Sequence, residues 1–218
     1  MEANPLVRST EPQLTFRQAQ PGDSQVAAQL IHLSMGSLAD LLLEQGPRSV
    51  DDCLAWLFER QGGRFSFHLT SIVEVQREAV GILAAFPGQR LTRLDMDTGG
   101  ELLRLLGFRG LVRMVGKLVG LGAERETGRD EYHINNVAVL PSFQGRGIGA
   151  QLMGYAERSA RASGLIKCSL LVDVKNETAR RLYERLGYRV CATKKYAGSL
   201  ACFDHHRMLK VLSLSPSP

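Results

Sequence analysis

The sequence lacks the features that mark several common classes of protein. Aromatic residues make up only 6% of its 218 residues, and no basic patch is rich in them, which argues against a nucleic-acid-binding protein. The longest apolar stretch, AVGILAAF at residues 79–86, is far shorter than the about 20 residues that span a bilayer. Residues 1–12 are polar, without the apolar segment of a signal peptide. We therefore expect neither nucleic acid nor a membrane as a partner.

Cysteine is scarce as well. The chain has four cysteines, Cys53, Cys168, Cys191 and Cys202. None of them forms a C-x-x-C pair, and no histidine lies at zinc-ligand spacing from any of them. This pattern predicts reduced thiols in a cytoplasmic protein and no metal site.

The composition and the order of elements predict the fold class. An apolar content of 44% is typical of a globular chain, and a net charge of +5 fits either a solvated basic face or an anionic ligand. Strand and helix patterns alternate, which predicts an α/β fold whose mixed sheet has about six or seven strands flanked by about four helices. We expect one domain at residues 14–212 between flexible tails at 1–13 and 213–218.

The periodicity places the individual elements. The predicted strands are residues 14–18, 65–75, 79–86, 131–139, 166–172, 188–196 and 201–212. The predicted helices are residues 22–43, 49–60, 147–164 and 176–187. Three polar residues separate the second strand from the third, so these two strands should form an antiparallel hairpin.

Residues 89–129 form an insertion rich in leucine, glycine and arginine. A glycine inside a helix costs roughly 1 kcal/mol relative to alanine, so the glycines of this segment predict two short helices with a break between them. Arg109, Arg113 and Lys117 recur every four residues and would form a basic stripe on the second helix. A solvated face explains this stripe. A lid over an active site, a contact in a homodimer and a membrane-surface helix are the alternatives.

A glycine-rich loop is the main chemical motif of the chain. GRGIGA at residues 145–150 matches the dinucleotide fingerprint G-x-G-x-x-G/A. The match lacks its context, because five residues, including Pro141, separate the loop from the preceding strand and about 130 residues come before it. Glycines still allow a close backbone approach, and the helix that follows offers unpaired N–H groups at its start, which suits a pyrophosphate.

The loop and its surroundings resemble the GCN5-related N-acetyltransferase (GNAT) superfamily. Read from Gln144, the segment QGRGIGA (residues 144–150) looks like that family's Q/R-x-x-G-x-G/A signature. The pattern LxVxxxNxxAxxLYExLGY at residues 170–188 resembles the family's second motif. Both motifs have the order and separation found in the family, and the resemblance covers about residues 131–190. It implies an acyl-CoA N-acyltransferase fold with a helical insertion at residues 89–129.

The resemblance also implies a function and a cofactor. The chain would transfer the acetyl group of acetyl-CoA to a primary amine of a small molecule or peptide, by direct attack in a ternary complex. Tyr183 would donate a proton to the departing sulfur, and the amide of Val139 would polarise the acetyl carbonyl. The residues implied to bind the cofactor are Val137, Ala138, Val139, Gln144, Gly145, Arg146, Gly147, Ile148, Gly149, Ala150, Asn176 and Tyr183. Asn176 could cap its helix, contact the cofactor arm, or do both.

The general base is harder to assign from the sequence. Many members carry a glutamate or aspartate on the strand before the signature, where the inner positions of this chain are expected to be His133 and Asn135. His133 is the candidate catalytic base, because an ordinary imidazole pKa of about 6.5 suits that role. A structural histidine, with a water chain or Glu131 as the base, is the alternative. Alternation along the strand predicts His133 and Asn135 on its inner face and Asn136 on the other.

The missing carboxylate leaves a second function open. A non-catalytic acyl-CoA-binding or sensor module of the same fold would keep the loop but not the base. The acceptor amine is not encoded in a motif. A basic insertion argues only weakly against polycationic acceptors, so a small amine, an amino acid and a peptide N-terminus are all considered.

Overall fold

The computed structural model describes residues 14–44, 47–119, 126–196 and 203–213, so the predicted tails lie outside the described residues apart from Ser213. These ranges contain seven strands: β1 (Leu14–Gln18), β2 (Thr70–Val75), β3 (Glu78–Pro87), β4 (Tyr132–Val139), β5 (Lys167–Asp173), β6 (Arg189–Lys194) and β7 (His205–Val211). They form one mixed sheet in the order β1-β2-β3-β4-β5-β7-β6. The predicted mixed sheet is therefore confirmed.

Six α-helices accompany the sheet in the described ranges: α1 (Ser24–Met35), α2 (Ser37–Leu43), α3 (Val50–Phe58), α4 (Leu91–Val119), α5 (Ile148–Ala162) and α6 (Glu177–Arg185). The single helix predicted for residues 22–43 is divided into α1 and α2, because Gly36 has a φ of 55° that ends the first of them. Ser49 begins α3 as an N-cap, its hydroxyl accepting a hydrogen bond from the Asp52 amide.

The strand predicted at residues 65–75 begins only at Thr70. Phe67–Leu69 form a 3-10 turn, and the Ser66 hydroxyl accepts a hydrogen bond from the His68 amide at 3.2 Å. The predicted hairpin is confirmed, since β2 pairs antiparallel with β3. Its turn is shorter than expected: Gln76 and Arg77 alone connect the strands, with φ values of 51° and 68°, the backbone of a primed turn.

The break expected in the insertion lies at Gly107. This residue interrupts α4 with φ 67° and ψ 174°, a conformation that only glycine adopts without strain. The predicted pair of helices is thus confirmed as two segments of α4 joined at Gly107. Two further glycines of this segment, Gly120 and Gly122, lie outside the described residues.

The sheet separates two apolar cores. On one face, α5 and α6 cover residues such as Ile134, Leu170 and Met208. On the other face, α1 and α3 cover Ile72 and Ile82, and α4 contributes side chains to the same core. Burial on both faces explains why the central strands are almost continuously apolar.

Among the described residues, no single helix is long and apolar enough to cross a membrane; the bent pair Pro21–Met35 and Ser37–Leu43 reaches that length and composition only when taken together.

A β-bulge in β4 changes which side chains share a face. The register with β3 pairs Ala84 with Asn136 and Ala85 with Ile134, so Asn135 is the extra residue. Asn135 Nδ2 donates to Asn136 Oδ1 at 2.6 Å, and the two amides therefore lie side by side. The prediction that Asn136 lies on the opposite face from His133 and Asn135 is wrong, because simple alternation does not survive a bulge.

Candidate active site

A gap opens between two neighbouring strands in the middle of the sheet. The parallel strands β4 and β5 pair only at their first residues, Tyr132–Ile134 against Cys168–Leu170. Beyond that point each strand continues, held by its other neighbour: β4 by β3 and β5 by β7. The two strands therefore diverge into a V, with one free edge of β4 facing the opening.

The backbone of β4 presents polar groups to this opening. Leu140 N donates to Val80 O at 2.8 Å, and in an antiparallel ladder such bonded residues alternate with residues whose N–H and C=O point away from the partner strand. Val137 and Val139, paired with Leu83 and Gly81, are residues of the second kind. Their amides face the gap, where an extended ligand could add to the sheet edge like a strand.

The glycine-rich loop closes the wide end of the gap. Gly145 and Gly147 have left-handed φ values of 76° and 78°, and a Cβ on either would meet no atom within 4 Å. Gly147 is the N-cap of α5 without any side-chain cap, so the first amides of that helix have no intrahelical acceptor. A Cβ on Gly149 would lie 3.2 Å from Leu182 Cδ2, which shows how closely α5 packs against α6.

Other residues of the predicted signature brace the loop with their side chains. Gln144 donates from Nε2 to Val139 O at 2.9 Å, and its own amide donates to Pro141 O. Arg146 folds back onto the loop, donating to Ser142 O at 3.0 Å over the Phe143 ring. The side chains of Ile148 and Ala138 are buried, so only their backbones are available to a ligand.

The second motif forms α6, which lies against the same core. Asn176 caps the helix, its Oδ1 accepting from the Ala179 amide at 3.1 Å, as one of the two predicted roles requires. Tyr183 is 7% exposed, and its burial raises the pKa of the hydroxyl to about 12. None of the described residues forms a hydrogen bond with this hydroxyl, which is therefore protonated and free to donate.

His133 lies at the closed end of the V, next to the last paired residues of β4 and β5. It is 2% exposed, and its ring contacts Phe86 at a centroid distance of 5.5 Å. Burial lowers the pKa of His133 to about 4, against a smaller opposing effect of the Glu126 carboxylate. The ordinary pKa expected from the sequence is thus wrong, because removal from water disfavours the imidazolium.

A carboxylate that the sequence did not single out accompanies His133. Glu126 Oε2 is 3.7 Å from His133 Nε2 and is held by Arg64, whose Nη2 donates to it. Burial would raise the pKa of Glu126, but the Arg64 guanidinium more than offsets this, so the carboxyl stays ionised. Asn135 fixes the other side of Arg64, accepting from its Nε at 3.0 Å. No local signal reveals this cluster, because Arg64 and Glu126 are 62 positions apart.

Glu131, the other carboxylate considered as a base, is fully engaged. Arg207 Nη2 donates to both of its oxygens at 2.6 and 2.5 Å, and the Gly128 amide donates to Oε2 at 2.9 Å. Burial would raise the pKa of Glu131, but these hydrogen bonds lower it below its ordinary value. Because hydrogen-bond donors already occupy both of its oxygens, Glu131 is a poor proton acceptor for an incoming amine.

Comparison with known proteins identifies the family. The model of the acetyltransferase (GNAT) family matches residues 36–188, well over half of the chain. The chain therefore belongs to the acetyltransferase (GNAT) family, and the resemblance drawn from its two motifs is confirmed. The uncharacterized N-acetyltransferase YycN of Bacillus subtilis is 34% identical over 67 residues, which are 31% of this chain and 43% of YycN. The match thus spans less than half the length of that curated relative.

Solved structures share the fold over most of the chain. An N-acetyltransferase from Staphylococcus aureus Mu50 has a TM-score of 0.66 at 20% identity, covering 90% of this chain and 100% of that one. The protein YncA from Salmonella typhimurium, solved with its cofactor acetyl-CoA, has a TM-score of 0.57 at 19% identity, and the match covers 94% of this chain and 98% of that one. The predicted GNAT-like α/β fold is confirmed.

Proposed function

We propose that this protein transfers the acetyl group of acetyl-CoA to a primary amine of a small molecule or peptide, by direct attack in a ternary complex. The observation that carries the proposal is the V between β4 and β5, which opens beside a loop of left-handed glycines at the start of α5. A sheet edge with free amides and an uncapped helix N-terminus are the two elements that a pantetheine arm and a pyrophosphate require.

The residues present fit this cofactor. The outward-facing backbones of Val137 and Val139 would hold the arm and polarise the acetyl carbonyl. The loop amides from Gly145 to Ala150 would hold the pyrophosphate, since the space in front of Gly145 and Gly147 is open. Bound acetyl-CoA supplies an acetyl group activated as a thioester.

Two protons must move for the transfer to finish, and the chain offers a group for each. As the amine nitrogen bonds to the acetyl carbon, it gains positive charge and must lose a proton. We assign that proton to His133 Nε2, which is neutral above pH 5 because its pKa is about 4. Glu126, 3.7 Å away, would stabilise the imidazolium that forms. As the carbon–sulfur bond breaks, Tyr183 would give its hydroxyl proton to the sulfur.

Thiol release from acetyl-CoA, measured over a panel of small amines, amino acids and short peptides, tests the proposal. We expect at least one acceptor to release thiol and to gain the mass of one acetyl group. Tyr183→Phe should lower kcat, while Tyr155→Phe, which changes a half-buried tyrosine on α5, should not. Release that is the same with and without protein for every acceptor would contradict an enzymatic function.

The low basicity of His133 favours one alternative, a non-catalytic acyl-CoA-binding or sensor module. Calorimetry with acetyl-CoA separates the two functions. Tight binding without turnover over the whole panel would support the sensor, whereas binding with turnover supports the transferase. Absence of binding would contradict both.

A further inference from the structure

A series of hydrogen-bonding side chains connects His133 on β4, through Ser169 on β5 and Thr127, to Glu131. His133 Nδ1 lies 3.4 Å from Ser169 Oγ, Ser169 Oγ lies 2.8 Å from Thr127 Oγ1, and Thr127 Oγ1 lies 3.0 Å from Glu131 Oε2. All four residues are buried, so the protein itself decides the direction of these bonds.

The carboxylate at the end of this series sets that direction. Glu131 is ionised because Arg207 and the Gly128 amide bind it, and an ionised carboxylate only accepts hydrogen bonds. Thr127 therefore donates to Glu131. Each hydroxyl has a single proton, so Ser169 donates to Thr127, whose oxygen lies 2.8 Å away. Ser169 then has only lone pairs left for His133.

His133 must then be the donor in the remaining contact. A neutral imidazole carries one N–H, and Nδ1 is the nitrogen beside Ser169. Among the described residues the other nitrogen, Nε2, has no hydrogen-bond partner, since the 3.7 Å between Nε2 and Glu126 Oε2 exceeds hydrogen-bond length. Four charged groups face this histidine: Glu126 and Glu131 favour the doubly protonated ring, and Arg64 and Arg207 disfavour it. Burial is the largest effect and keeps the ring neutral.

We propose that Ser169 and Thr127 are positioning residues that hold His133 as the tautomer with its proton on Nδ1. The lone pair then lies on Nε2, on the side of Glu126, where an acceptor amine would lose its proton. The catalytic consequence rests on the proposed function, but the tautomer itself does not.

Nitrogen-15 NMR of the histidine ring tests the tautomer directly. In the uniformly labelled full chain near pH 7, the His133 nitrogens are assigned by comparison with His133→Gln, and long-range proton correlations show which one carries the proton. We expect the proton on Nδ1 in the wild type. Ser169→Ala removes the acceptor and should shift the equilibrium towards protonated Nε2, whereas Ser71→Ala, another buried strand serine, should leave it unchanged.

A kinetic measurement accompanies the spectrum. Ser169→Ala should lower kcat roughly tenfold with KM for acetyl-CoA unchanged, and the conservative Ser169→Thr, which keeps the hydroxyl, should restore it. If either variant at this fully buried position fails to fold, Thr127→Val provides a second test. It removes the hydroxyl that binds Ser169 and should also shift the tautomer. The spectrum needs no substrate, so an inactive protein does not affect the tautomer result. A wild-type proton on Nε2, or a tautomer that neither Ser169→Ala nor Thr127→Val changes, would overturn the proposal.

Discussion

The buried imidazole of His133 should make the stability of the protein depend on pH between 5 and 7. Its pKa is about 4 in the folded chain and about 6.5 in an unfolded one. Between these values the unfolded chain binds a proton that the folded chain excludes, so stability is complete above pH 6.5 and falls as the pH decreases. With these two pKa values, the free energy of unfolding decreases by about 2 kcal/mol between pH 7 and pH 5. The decrease reaches roughly 3 kcal/mol below pH 4.

Urea unfolding at pH 5, 6 and 7, followed by circular dichroism, measures this loss. His133→Gln has no titrating ring and can still donate to Ser169, so its unfolding free energy should fall by about 2 kcal/mol less than that of the wild type over this range. His32, whose pKa is raised by Asp51 and Asp40 against the effect of burial, contributes with the opposite sign, but equally in both proteins. His68→Gln, at an exposed histidine, should behave like the wild type. Parallel loss of stability in wild type and His133→Gln would refute the assignment of a lowered pKa to burial.

Three substitutions test other parts of the structure. Gly147→Ala puts a side chain at a φ of 78° where the pyrophosphate should bind, so calorimetry should show acetyl-CoA affinity lowered about tenfold or more, while Gly154→Ala on the same helix should bind normally. Arg64→Met leaves Glu126 unpaired and should destabilise the fold by roughly 2 kcal/mol in urea; the exposed Arg93→Met should not. Gly107→Ala should cost about 1–3 kcal/mol, because φ 67° with ψ 174° strains any residue with a Cβ; a thermal melt unchanged from that of the wild type would contradict this.

Much of the fold could be predicted because its signals are local. Strands such as Leu14–Gln18 and the hairpin of β2 and β3 follow from apolar runs and the residues between them. The break in α4 follows from the glycine content of its segment, and the cap at Asn176 from a residue type that favours that position. Gly36 was the exception, because this glycine divides one predicted helix into α1 and α2, and hydrophobic periodicity alone does not detect such a break.

The loop and α6 were predictable for the same reason. Glycine spacing at residues 145–149 and the pattern ending at Tyr188 lie within short stretches whose chemistry depends on backbone freedom and helix ends. The sequence by itself thus determined the family, the sheet and the residues proposed to bind acetyl-CoA.

The tertiary structure alone decided the surroundings of His133. The bulge at Asn135 turned Asn136 to the face of His133, because pairing with β3 added a residue that alternation cannot foresee. Arg64, which is 62 positions from Glu126 in the chain, binds that carboxylate beside His133. The basicity of His133 depends on its removal from water and on four charged neighbours that folding brings together. A pKa is set by surroundings in three dimensions, and for this reason the sequence could name the histidine but not its strength as a base.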